Sequence, residues 1–146
     1  MNTDGVFIAR FLAGDRRPAV IDSNPLAMRL GARMIDADAK GAAMLSFEPT
    51  QEFAQGAGLL QGGAVATMLD FAMAFAALAK LPAERSCATA SMTVNFLKPA
   101  TPGSYLATGV VERMGSQVAF VSATLRRADS EQVVATASSV MPLIPA

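Results

Sequence analysis

Hydrophobic and polar positions divide the chain into three regimes, and the middle one dominates. From Gly62 to Lys80 the sequence is apolar save for Thr67, Asp70 and the closing lysine, after which Leu81-Pro82 stops it. Such a run, opened by two glycines and closed by proline, predicts one long buried helix. At ~100° per residue, Asp70 shares a face with Gly63, Ala66, Thr67, Ala74 and Ala77, while Val65, Met68, Leu69, Ala72 and Phe75 lie opposite. The bulky face suits a sheet. The small face leaves room beside the carboxylate, about two turns past the glycines. Two readings of that carboxylate stay open on the wheel: a working group beside a ligand, or an acid hydrogen-bonded where small residues let a second helix approach. In either case an ionisable group in an apolar helix must be used or paired.

Ahead of this helix, Thr3 or Asp4 caps a short helix with Phe7, Ile8, Phe11 and Leu12 as its apolar stripe. Gly14, Pro18 and Asp22-Ser23-Asn24-Pro25 predict an irregular segment. Residues Arg33–Ala39 and Ala42–Phe47 flank Lys40-Gly41 as a hairpin, and Gln51–Gln61 forms a loop into the long helix. Beyond Pro82, Ala88, Ala90, Met92, Val94 and Phe96 alternate with Thr89, Ser91, Thr93 and Asn95, a strand that Pro99 and Pro102-Gly103 end. Three more strands follow, Tyr105–Val111, Val118–Arg126 and Val133–Met141, with turns at Gly115-Ser116 and Asp129-Ser130. The predicted fold is α+β: an antiparallel sheet of five or six strands wrapped around one central helix, with a short N-terminal helix, in one domain over residues 1–146.

Composition narrows the chemistry more than the fold. The 146 residues are 52% apolar and only 16% charged, with 12 basic and 12 acidic side chains. So little charge predicts a covered surface, and a sheet with open edges predicts that an identical subunit covers it, as a homodimer or a dimer of dimers. No basic run interleaved with aromatics points to nucleic acid. The long helix is alanine-rich, carries a carboxylate near its middle and is short for a bilayer, so it is expected in a core and not in a membrane. The first residues hold Asp4 and only a brief apolar run, unlike a signal sequence, and a cytoplasmic location is expected. Histidine is absent, which removes Ser-His-Asp and Cys-His catalysis and the usual zinc sites. The lone Cys87 forms no intramolecular disulfide and reads as an apolar filler.

The spacing Gly58-x-x-Gln61-Gly62-Gly63, with Asp70 nine positions after Gln61, resembles the hotdog-fold acyl-CoA thioesterases of the phenylacetate-degradation and hydroxybenzoyl-CoA types. Their pattern is G-x-x-H-G-G, an acid nine residues after the histidine, then a strand ending in proline, here Thr89 to Pro99. The resemblance implies that Asp70 is the catalytic carboxylate, as nucleophile or as base toward water. It implies that a backbone N–H of Gly62 or Gly63 holds the thioester carbonyl, with the Gln55 amide nearby, and that Thr89 positions the water. Each site would draw on both subunits, acyl-CoA would be the substrate, and no cofactor or metal would be needed. Gln61 stands where the family usually carries histidine and offers hydrogen bonds without titration. Lys98 and Arg113, with Arg126 and Arg127, are expected to meet coenzyme A phosphates at a subunit seam or to be solvated strand ends.

Elementary chemistry supports these roles. Thioester hydrolysis builds negative charge on the carbonyl oxygen, and a helix N-terminus offers free N–H groups and a positive dipole end. Glycine lets the ligand come close. Asp70 is the base or nucleophile that a chain without histidine must find elsewhere. The rival reading, favoured by Gln61, is a hotdog module that binds an acyl ligand without turnover.

Overall fold

A computed structural model describes residues 2–14 and 18–146. Helix α1 (Thr3–Ala13), strand β1 (Ala19–Val20), helix α2 (Pro25–Arg29) and the hairpin β2 (Arg33–Asp38) and β3 (Ala42–Phe47) precede a 3₁₀ turn at Gln51–Phe53. Helix α3 (Gly62–Lys80) follows, then β4 (Arg85–Cys87), β5 (Ser91–Phe96), β6 (Tyr105–Met114), β7 (Val118–Arg127) and β8 (Val133–Pro145). The strands form one antiparallel sheet in the order β1-β2-β3-β6-β7-β8, with β4 and β5 pairing successive stretches of β8. There are eight strands where five or six were expected. The extra pair, β1 and β4, are two and three residues long, too short to leave a periodic signal.

Helix α3 lies across the sheet on a row of small residues. Ala37, Ala43, Gly109, Ala123 and Ala137 stand opposite one another on β2, β3, β6, β7 and β8. A Cβ at Gly109 would sit 2.1 Å from the Ala72 carbonyl oxygen, so helix backbone meets strand backbone there. Val65, Met68, Leu69, Ala72 and Phe75 are buried on the sheet side, as the wheel requires. By length and mean hydropathy α3 is long and apolar enough to cross a membrane, but those side chains are the core of this fold. Ala77, expected on the open face, is fully buried because α1 and β4 enclose the last turns of the helix.

The N-terminal elements differ in detail. Asn2, not Thr3 or Asp4, caps α1, its side chain accepting from the Asp4 and Gly5 N–H groups. Phe7, Ile8 and Phe11 are buried, and the Phe7 ring meets Phe75 edge-on at 5.9 Å. The segment expected to be irregular contains α2. Asn24 accepts from Leu26 and Ala27, and Pro25 opens the helix, so its start signals were present. The strand expected from Ala88 to Phe96 is broken. Residues 88–90 leave the ladder, although the Ala88 and Ala90 N–H groups still reach the Pro142 and Val140 carbonyls of β8. β4 then begins earlier than the alternation suggested, and β5 carries Met92, Val94 and Phe96 on the helix side.

Candidate active site

The start of α3 leaves hydrogen-bond donors unused. Ala64 and Val65 both turn back onto the Gln61 carbonyl, at 2.9 and 3.3 Å. Among the described residues the Gly62 and Gly63 N–H groups have no protein acceptor, as the first turn of a helix dictates. The cap residue Gln61 does not close this end with its side chain. Gly62 faces Phe96, whose ring would lie 3.4 Å from a Cβ placed there; a Cβ at Gly63 would meet nothing.

Two cavities flank these amides. One of about 300 Å³ is lined by Gln55, Gly62, Val65, Phe96, Leu97 and Lys98 among others. Gln55 is anchored in a tight loop: its N–H donates to Leu59, and its side-chain oxygen accepts from Ala57 N–H. That contact engages the Gln55 oxygen and leaves its NH₂ group without a partner among the described residues. The other cavity, about 390 Å³, lies between α2, the 3₁₀ turn and α3, and holds Gln61 and Gly63 at its edge. Gln61 and Gln55 therefore open on different sides of the helix start.

Asp70 is half-buried on the open face of α3 and has no cationic partner among the described residues. Its Oδ1 accepts from the Thr89 hydroxyl at 2.7 Å, a contact made possible by the break between β4 and β5. Among the described residues no other side chain bonds this carboxylate. Thr89 is thus separated from Ser91, Thr93 and Asn95, which stay on the outer face of the sheet. Cys87, next to this pair, has its pKa pushed up to about 11, first by burial and then by the Asp70 carboxylate, and its sulfur packs 4.0 Å from the Ala74 carbonyl. It is an unreactive filler.

Within one chain, these groups fall into two separate clusters. Gln55, Gly62 and Lys98 line one cavity, and Asp70 with Thr89 sits eight residues further along the helix, ~12 Å at 1.5 Å per residue. Asp70 lines neither cavity beside the helix start. Arg113 is remote from Lys98: it pairs with Phe120 near the far end of β6, whereas Arg127 pairs with Tyr105 at the near end. Arg127 is engaged locally, bonding Thr101 at 3.3 Å and lying over the Tyr105 ring. Sequence reasoning did not single out Phe96 as part of the site, although the alternation already grouped it with Met92 and Val94. It also left out the residues of the α2 cavity, because nothing local ties Leu26 or Phe53 to the helix start.

One central helix laid over an antiparallel sheet, with free amides at the helix start and an acid two turns on, defines a hotdog fold of the thioesterase type. The chain belongs to the thioesterase superfamily, whose profile matches residues 57–134. A phenylacetic acid degradation-related protein of Ralstonia eutropha JMP134 superposes with a TM-score of 0.79 at 28% identity, over 93% of this chain and 98% of that one. A Streptococcus mutans protein solved bound to acetyl CoA shares the fold, with a TM-score of 0.70 at 21% identity over 77% and 87% of the two chains. A candidate esterase of Saccharolobus solfataricus is 32% identical over 92 residues, 63% of this chain. The match spans 65% of that relative, just under two thirds of its length.

Proposed function

We propose that this chain hydrolyses acyl-CoA thioesters at sites shared between two copies. The observation that carries this reading is the order of groups along β5. Asp70 is bonded to Thr89, two residues before β5 begins, and Gly62 lies against Phe96, where β5 ends. Among the described residues β5 pairs only with β8, leaving its other edge free, and Phe96 and Leu97 at its end are 57% and 54% exposed. Open edges of this kind invite pairing. Two copies joined antiparallel along β5 would set the start of one strand beside the end of the other. Asp70 and Thr89 of one copy would then face Gly62, Gly63 and Gln55 of the second, closing a gap that neither chain bridges alone. The small charge content of the surface fits such a dimer, and a dimer of dimers is compatible with it.

In this arrangement the Gly62 or Gly63 N–H and the Gln55 NH₂ bind the thioester oxygen and strengthen their hold as it becomes an oxyanion. Asp70 takes a proton from water held by Thr89, or attacks the carbonyl carbon itself before water releases the acyl group. On the first route hydroxide adds to the carbonyl carbon, the C–S bond breaks, and the coenzyme A sulfur takes the proton that Asp70 removed from water. On the second the C–S bond breaks as Asp70 forms an acyl anhydride, and coenzyme A leaves as the thiolate. Water then cleaves the anhydride to free acid and carboxylate, its spare proton matching the thiolate. Lys98 on the cavity rim suits an anionic coenzyme A arm; Arg113, at the other end of β6, could serve it only from another copy. No step calls on a metal or further cofactor.

Gln61 keeps a second reading in play, that of an acyl-ligand module without turnover, because it cannot exchange protons. The two are separated by following free coenzyme A released from acyl-CoA. Release by the natural chain and its loss in Asp70→Asn support the enzyme; tight binding without release supports the module.

A further inference from the structure

The two cavities at the helix start differ in charge and lining, and that difference assigns the two arms of a thioester. We propose that the cavity between α2 and α3 holds the acyl group, and that it selects compact, uncharged apolar acyl groups over those ending in a carboxylate. This rests on the thioesterase reading above and specifies its substrate class.

Consecutive glycines open to different sides. Gly62 lines the cavity with Gln55 and Lys98, and Gly63 lines the cavity with Leu26, Leu30 and Phe53. A carbonyl held at these amides would send one substituent into each. Lys98 suits the anionic coenzyme A arm. On the other side, Leu26, Leu30, Phe53 and Ala64 make an apolar wall. Thr67 has no proton to offer a ligand, since its hydroxyl already donates to the Gly63 carbonyl at 2.7 Å. At about 390 Å³ the space is near the lower end of ligand cavities, ~300–1,000 Å³, which favours a compact acyl group.

Glu52 lines this same cavity. Arg29 binds it through Nε at 2.9 Å and Nη2 at 2.6 Å, both on Oε1. This exposed ion pair sits at the cavity wall and commits the Arg29 guanidinium to Glu52. With Arg29 held by Glu52 and no lysine or arginine among the described lining residues, a terminal carboxylate on the acyl group would be desolvated without a free cation to meet it, whereas an alkyl end would meet Leu26 and Phe53.

The test compares hydrolysis of hexanoyl-, glutaryl- and acetyl-CoA by the full chain and by Leu26→Ala and Glu52→Lys. Each comparison is a ratio of kcat/KM values within one variant, which cancels any loss of folded protein. Natural protein is expected to prefer hexanoyl- to glutaryl-CoA at least tenfold. Glu52→Lys is expected to cut that preference at least tenfold, and Leu26→Ala to lower the hexanoyl-to-acetyl ratio about fivefold. Hydrolysis with both ratios unmoved in the variants would overturn the cavity assignment alone. Absence of coenzyme A release from all three thioesters would overturn the thioesterase reading, and the assignment with it.

Discussion

The Thr89 hydroxyl donates to Asp70 Oδ1 at 2.7 Å, joining the middle of α3 to the gap between β4 and β5. This bond orients a carboxylate that otherwise meets no donor among the described residues, and it leaves Oδ2 for a water or a thioester carbon. Asp70→Asn is expected to lower kcat at least ~100-fold with little change in KM, the usual scale for losing a base. Thr89→Val keeps the shape and loses the hydroxyl; a loss of kcat of about tenfold is expected. Steady-state kinetics on folded variants checks both, and unchanged kcat in Asp70→Asn would remove the carboxylate from the chemistry.

The oxyanion role of the helix start is tested by deleting one N–H. Gln61 precedes Gly62 with φ −57° and ψ 137°, an extended conformation that a following proline accepts. Proline is also tolerated as the first residue of a helix. Gly62→Pro is therefore expected to fold while kcat falls ~100- to 1,000-fold, the scale for losing one oxyanion donor. Gly62→Ala retains the N–H and places its methyl group 3.4 Å from the Phe96 ring, so a smaller loss, within about tenfold, is expected. Equal losses in the two variants would mean that crowding at Phe96, not the lost donor, is responsible.

Helix position depends on Gly109. Its added Cβ would overlap the Ala72 carbonyl, backbone that cannot rotate away. Gly109→Ala is expected to destabilise by about 2–3 kcal/mol, the upper range for overfilling a packed core. Thermal unfolding is expected at a midpoint at least ~5 °C lower. Its neighbours in the row, Ala43 and Ala123, show that only very small side chains fit beneath the helix.

Cys87 gives the fold a pH signature. A thiol whose pKa is about 11 in the folded chain and 9.0 when unfolded binds its proton more tightly in the native state. The associated stability is fully present below pH 9 and is lost as pH rises toward 11. Denaturant midpoints at pH 8 and pH 10.5 are expected to drop further for the natural chain than for Cys87→Ala. An identical drop would show that burial does not hold the thiol protonated.

Much of this was legible in the chain itself. The apolar run with a single acid made both α3 and Asp70 visible, and Gly62-Gly63 marked the end where amides are free. The row under the helix was not legible, because it depends on how five strands align and no local pattern encodes register. The break at residues 88–90 was hidden for a different reason: alanine and threonine alternate through it without interruption, and the Asp70–Thr89 bond that uses the break is a tertiary event. Arg113 and Lys98 looked equivalent as basic residues near strand ends. Only the pairing of β6 with β7 sets Arg113 at the opposite end of the sheet from the cavity. Helix α2 was signalled by Asn24-Pro25, but five residues carry too little periodicity to stand out from a loop.

The division of the site between two copies is tested most directly by complementation. Asp70→Asn and Gly62→Pro chains, each expected to be inactive alone, are co-expressed and the mixed assembly is assayed for release of coenzyme A. In a two-fold dimer the mixed species keeps one intact site, so activity is expected to return to about a quarter of the natural level when the chains pair at random. No recovery above the two parents, in dimers shown to contain both chains, would contradict a shared site and require each chain to carry its own.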